Sequence, residues 1–134
     1  MDVAKCQQLK GELSAQEAPS VPIARYFEGN DDEASIGCNL LEHPGMETFR
    51  NVLVGLTQRP DVEAVYALIS EIDPGEDYWP FTDTVLVFGS ISAEDLQQAL
   101  SPLEPDEVGP AADFGIADEV LSKHVSPALA AWWD

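Results

Sequence analysis

Between Arg59 and Lys123 the chain contains no lysine and no arginine. Across all 134 residues there are six basic side chains against 25 acidic ones, a formal net charge of −19. The deficit is uneven. Residues 1–59 hold nine acids and five bases, net −4, whereas residues 60–134 hold 16 acids and one base, net −15. Carboxylates in the second half therefore lack salt-bridge partners nearby in sequence, and their mutual repulsion is relieved only by solvent and salt. A field of this sign repels phosphates and anionic headgroups, so neither direct nucleic-acid binding nor membrane binding is expected. It attracts and steers a basic protein partner. The charge also serves solubility, or suits a cell with high internal salt.

Other scarcities exclude further classes. Two cysteines, Cys6 and Cys38, make no disulfide framework, and a domain of this size needs none. No apolar run approaches the roughly 18 residues of a membrane span. The start, Met1-Asp2-Val3-Ala4-Lys5, lacks the basic and apolar regions of a secretory signal, so the cytoplasm is the expected compartment. There is no Gly-x-Ser-x-Gly elbow, phosphate-cradling glycine loop, His-Glu-x-x-His or Cys-x-x-Cys. The two histidines, His43 and His124, lie far apart. A cysteine nucleophile would pair Cys38 with His43, but the alternating pattern around Cys38 assigns it to a core. The expectation is a protein without catalytic residues, cofactor or metal.

What is present is a clear α+β pattern. Val3, Cys6, Leu9 and Leu13 predict an N-terminal helix over residues 2–16, stopped before Pro19-Ser20-Val21-Pro22. Ile23–Phe27 and the alternation Ala34, Ile36, Cys38, Leu40 read as two arms of a β-hairpin around Gly29-Asn30-Asp31-Asp32. Met46, Phe49, Leu53 and Leu56, with Val52, form an amphipathic stripe opened by Pro44 and ended at Arg59-Pro60. Val62–Ile72 reads as a strand, closed by the turn residues Asp73-Pro74-Gly75. Val85-Leu86-Val87-Phe88 is apolar at every position, the mark of a strand covered on both faces or central in its sheet. Ser92, answered by Asp95, caps the helix that follows, and Ile91 and Leu96 staple it.

These elements predict a single domain. A helix and linker occupy residues 1–20, and a ββαββα core occupies 21–103. The core is a four-stranded, largely antiparallel sheet from two hairpins, with helices mostly on one face. Residues 104–134 form a loop-rich segment with short docked helices, one near Ala117–Lys123 and one from Ser126-Pro127 carrying Leu129, Trp132 and Trp133.

One stretch combines charge with aromatics. Glu71, Asp73, Glu76, Asp77 and Asp83 surround Tyr78, Trp79 and Phe81. The acids lack the spacing and central glycine of a calcium loop, so they read as a solvated acidic loop. Tyrosine and tryptophan beside carboxylates suit contact with a cationic protein. Glu76, Asp77, Tyr78, Trp79 and Asp83 are the candidate partner-binding residues, although Trp79 suits the end of a core equally well and Phe81 suits it better. The leading expectation is a non-enzymatic cytoplasmic protein that binds a basic protein partner. It would act as a bacterial immunity or antitoxin-like inhibitor, or as a mimic of nucleic-acid charge. The alternatives are a small-molecule-binding domain or minor hydrolase with a pocket between sheet and helices, and an accessory subunit that assembles through Trp132 and Trp133.

Overall fold

The computed structural model describes residues 1–134. In chain order the elements are α1 (Val3–Ser14), β1 (Ser20–Pro22), α2 (Ile23–Phe27), α3 (Met46–Leu56), β2 (Val62–Glu71), β3 (Phe81–Gly89), α4 (Ala93–Ala99), β4 (Glu107–Pro110), α5 (Asp118–Leu121) and β5 (Ala128–Trp132). Single 3₁₀ turns lie at Glu33–Ser35, Ser101–Leu103 and Ala111–Phe114. The fold is α+β around one antiparallel sheet of five strands in the order β1-β2-β3-β5-β4.

The continuous apolar run of β3 occupies the middle of that sheet. Val85, Leu86, Val87 and Phe88 are all fully buried, because the sheet is covered on both faces. Val85 and Val87 join the larger core, with Cys6, Leu9 and Leu13 of α1, Phe49, Leu53 and Leu56 of α3, and Leu96 of α4. Leu86 and Phe88 join a smaller core on the opposite face, with Ala111, Val120 and Ala130. Residues 111–121 supply the cover there, so the helices are not confined to one side.

The β2–β3 hairpin, α3 and α4 form where the sequence pattern places them. The Ser92 side chain accepts a hydrogen bond from the Asp95 amide at 3.1 Å, and Ile91 and Leu96 are both buried. The entry to β2 is fixed by a bidentate pair: Arg59 Nε and Nη2 donate to the two carboxylate oxygens of Asp61 at 2.9 and 3.0 Å. The backbone carbonyl of Asp61 in turn accepts from Ser90 and Ile91. Gly89 passes so close that a Cβ there would lie 2.3 Å from that carbonyl oxygen, at φ +148°. Only glycine fits.

The four-stranded ββαββα arrangement is replaced in three places. Residues 23–27 are a helical turn instead of a strand, since Ile23, Tyr26 and Phe27 bury at i, i+3 and i+4, a helical spacing. The predicted second arm, residues 34–40, makes only an isolated bridge, Ile36 to Thr82. Asp32 draws the chain into a 3₁₀ turn by accepting from the Ala34 amide at 3.0 Å. Gly37 then takes φ +67°, and Cys38 emerges exposed where a core position was expected. Lastly, Ala128–Trp132 is a strand where a final helix was expected. Its alanines favour a helix, but the open edge of β3 requires a partner, so pairing with β3 and β4 prevails over local propensity.

Candidate functional site

The sequence-predicted contact residues divide between surface and core. Loop 72–80 joins β2 to β3, and Glu76, Asp77 and Tyr78 are exposed on it. Trp79 is not: it is 0% exposed and belongs to the larger core, which removes it from any contact surface. Its backbone amide donates to Asp32 Oδ2 at 3.0 Å, locking the indole inward. The loop is tied to α1 by Lys10, whose Nζ meets Asp73 Oδ1 and the Gly75 carbonyl, each at 2.9 Å. Asp83 is exposed but stands apart from the loop, at a register slip of β3, where its carboxylate accepts from the Thr84 hydroxyl at 2.9 Å. The structure therefore brings Glu76, Asp77 and Tyr78 together and leaves Trp79 and Asp83 outside that group.

A second feature has lining residues that the sequence did not identify. On the thinly covered face, a groove of about 500 Å³ opens between the sheet and residues 113–120. Leu68 of β2, Thr84 of β3 and Trp132 of β5 form one wall, and Phe114, Ile116 and Val120 form the other. Glu107 and Asp113 add carboxylates, and no lysine or arginine lines the groove. The cross-strand register explains the sheet wall: Leu68, Thr84, Trp132 and Glu107 are consecutive partners across four strands. The opposite wall follows from the 3₁₀ turn Ala111–Phe114, whose αL exit at Gly115 redirects the chain and leaves Phe114 half-buried. Glu107 begins a four-residue strand containing glycine and proline, a pattern too short to be recognised.

The electrostatics of this surface follow from where the few cations are used. Lys5 pairs with Glu28, Lys10 with Asp73, Arg25 with Glu12 and Arg59 with Asp61. Lys5 holds the Glu28 carboxyl below its usual range by hydrogen bond and charge, and Arg59 does the same to Asp61. Neither Glu107 nor Asp113 has such a partner. All 25 acidic side chains lie at least partly at the surface, so their field reaches solvent.

The cysteine–histidine pairing is not formed. His43 Nε2 lies 2.8 Å from the Ile36 carbonyl, and its Nδ1 accepts from the Gly45 amide at 2.9 Å. Both ring nitrogens are thus engaged by backbone, and this fixes the tautomer with hydrogen on Nε2. The other cysteine, Cys6, is buried against the loop, with its sulfur 3.5 Å from the Tyr78 carbonyl, and burial pushes its thiol pKa up. That is the opposite of an activated nucleophile. The two C-terminal indoles separate: Trp133 is buried and donates to the Leu103 carbonyl at 2.8 Å, while Trp132 faces the groove. No helix is long and apolar enough to cross a membrane.

No solved structure matches this chain. It is similar to the Uncharacterized protein YfbO of Escherichia coli (strain K12), at 23% identity over 121 residues, 87% of this chain and 83% of that protein. The family match is more extensive, spanning residues 3–133. On that span, the chain belongs to the Uncharacterized protein YfbO family.

Proposed function

We propose that this protein is a non-enzymatic cytoplasmic interaction module that binds a basic protein partner, with the groove beside Trp132 as the anchoring site. The observation that carries the reading is an apolar cleft with two cation-free carboxylates, Glu107 and Asp113, in a molecule of net charge −19. Leu68, Phe114, Ile116 and Trp132 accept the apolar part of a partner segment, and the carboxylates accept its lysine or arginine. Glu76, Asp77 and Tyr78 widen the acidic surface that steers the encounter. An inhibitor of a cationic protein, of the immunity or antitoxin kind, and a mimic of nucleic-acid charge are the concrete forms of this reading.

The test is affinity capture with the wild-type protein and with an E107K/D113K variant, both eluted by a salt gradient. One basic protein should be retained in stoichiometric amount by the wild type, released as salt rises, and lost from the variant. Salt-insensitive capture, or equal capture by the variant, would refute the reading. A second reading rests on the groove's size, which falls within the range of small-molecule sites. A screen of amphipathic amines that bind the wild type and compete with no protein would favour it.

A further inference from the structure

At the end of the thin face away from the groove, three polar side chains gather around His124. Its Nδ1 lies 3.2 Å from Glu63 Oε1, and its Nε2 lies 2.9 Å from the Tyr66 hydroxyl. The second oxygen of Glu63 accepts the hydroxyl of Ser126. A carboxylate only accepts, so Nδ1 carries the hydrogen and Nε2 is left as the acceptor of the Tyr66 proton. The order of the chain is then Glu63, His124, Tyr66: an anion orients an imidazole, and the imidazole is aimed at a phenol.

The backbone builds this arrangement deliberately. The β2–β3 register slips by one residue between the pairs Val62–Gly89 and Ala64–Phe88, and Glu63 is the residue inserted. A bulge re-aims the side chain that it carries, and here Glu63 reaches the segment that follows α5. Phe88 walls the site, its ring centroid 4.8 Å from His124 and 5.9 Å from Tyr66. Lys123 places its ammonium 5.5 Å from the Tyr66 ring centroid, where its charge favours negative charge growing on the phenol oxygen. Hydrogen bonds from Ser126 and His124 hold the Glu63 carboxyl below its usual range, so the orienting group stays ionised.

We propose that Tyr66 is a primed nucleophile and a site of covalent acyl modification, served by His124 as base and Glu63 as its positioning residue. The acyl donor is a neutral or cationic activated ester or amide, since the field of the molecule repels anionic ones. The Tyr66 oxygen attacks the carbonyl carbon, and its proton passes to His124 Nε2. An aryl ester C–O bond forms and the bond to the leaving group breaks. The leaving group departs with the proton held by His124, which restores the starting imidazole. The product is a stoichiometric aryl ester adduct on Tyr66.

The three tyrosines provide an internal control. Tyr78 is 45% exposed, Tyr66 is half-buried and Tyr26 is fully buried. The folded full-length protein is treated with limiting N-acetylimidazole and the acetylated peptides are quantified by mass spectrometry. If accessibility alone governed reaction, Tyr78 would lead. The proposal expects Tyr66 to be acetylated faster than Tyr78 by about a hundredfold, the low end of the range for a positioned base. His124→Gln should bring Tyr66 to or below the rate of Tyr78, and Glu63→Gln should lower it partway, with Tyr78 unchanged in both. The wild-type ratio needs no variant, so a folding defect in His124→Gln does not spare the proposal. Tyr78 leading in the wild type, or Tyr66 reacting equally fast in a folded His124→Gln protein, would overturn it.

Discussion

The two faces of the sheet are built to different standards. On one, four helices and the loop carrying Trp79 close a cluster of 24 buried residues over Val65, Val85 and Val87. On the other, a 3₁₀ turn and a four-residue helix cover only five, around Leu86 and Phe88. Burial of apolar area contributes roughly 25 cal/mol per Å², so the helical face carries most of the stability. The thin face cannot fill its own surface. It leaves the groove, and it fastens its cover with polar contacts: His124 to Tyr66 and Glu63, and Glu119 accepting from the Ala18 amide at 2.7 Å. Segments with few buried contacts open at low free energy. The larger core and the groove thus lie on opposite sides of one sheet.

Substitutions can break this contrast in order of size. Phe49→Ala empties the thick face and should cost about 3–5 kcal/mol, measured by urea denaturation. Phe114→Ala, at the half-buried lip of the groove, should cost only about 1 kcal/mol in the same measurement. Equal losses would mean that the two faces share the load. Gly89→Ala sets a Cβ against the Asp61 carbonyl at the start of the central hairpin and should destabilise by more than about 1 kcal/mol. Its effect should appear in both faces together, read as coincident loss of tryptophan fluorescence and far-ultraviolet dichroism.

E107K/D113K should leave stability within about 0.5 kcal/mol of wild type, as exposed substitutions do. It should nevertheless abolish capture of the basic partner. The smallest effect concerns acid. Glu63 has a folded-state pKa below its unfolded value, so its contribution is fully present above the unfolded value of about 4.3. That contribution fades as pH falls through the depressed folded value. Glu63→Gln should therefore shallow the decline in urea midpoint between about pH 5 and about pH 3. A decline of unchanged slope would show that Glu63 does not anchor the cover.

The thick face was legible in the sequence because its elements are long and periodic. The stripe Met46, Phe49, Leu53, Leu56 and the cap at Ser92 each have a local cause, and the all-apolar run 85–88 signals two covered faces. The short elements were misread. Pro22 followed by Ile23, Tyr26 and Phe27 satisfies a helical spacing, but five residues hold too few repeats to decide against a strand. Ala128–Trp132 has helical composition and becomes a strand only because β3 and β4 flank it. Tertiary pairing overrules local preference there. Of the candidate contact residues, Glu76, Asp77 and Tyr78 are exposed as anticipated, while the same aromatic–acidic pattern concealed a core indole at Trp79. The residues that line the groove were not legible, since Leu68, Thr84, Trp132 and Glu107 meet only through strand register and Phe114 reaches them from a 3₁₀ turn.

Hydrogen exchange on the full-length protein, with and without a lysine-rich amphipathic peptide, tests the division of labour most directly. The account predicts slower exchange at residues 107–120 and 128–132 on peptide addition, reversed by salt and absent in E107K/D113K. It also predicts no change in α1 and α3. Protection confined to α1 or α3, or protection of the groove that survives both salt and the double substitution, would contradict it.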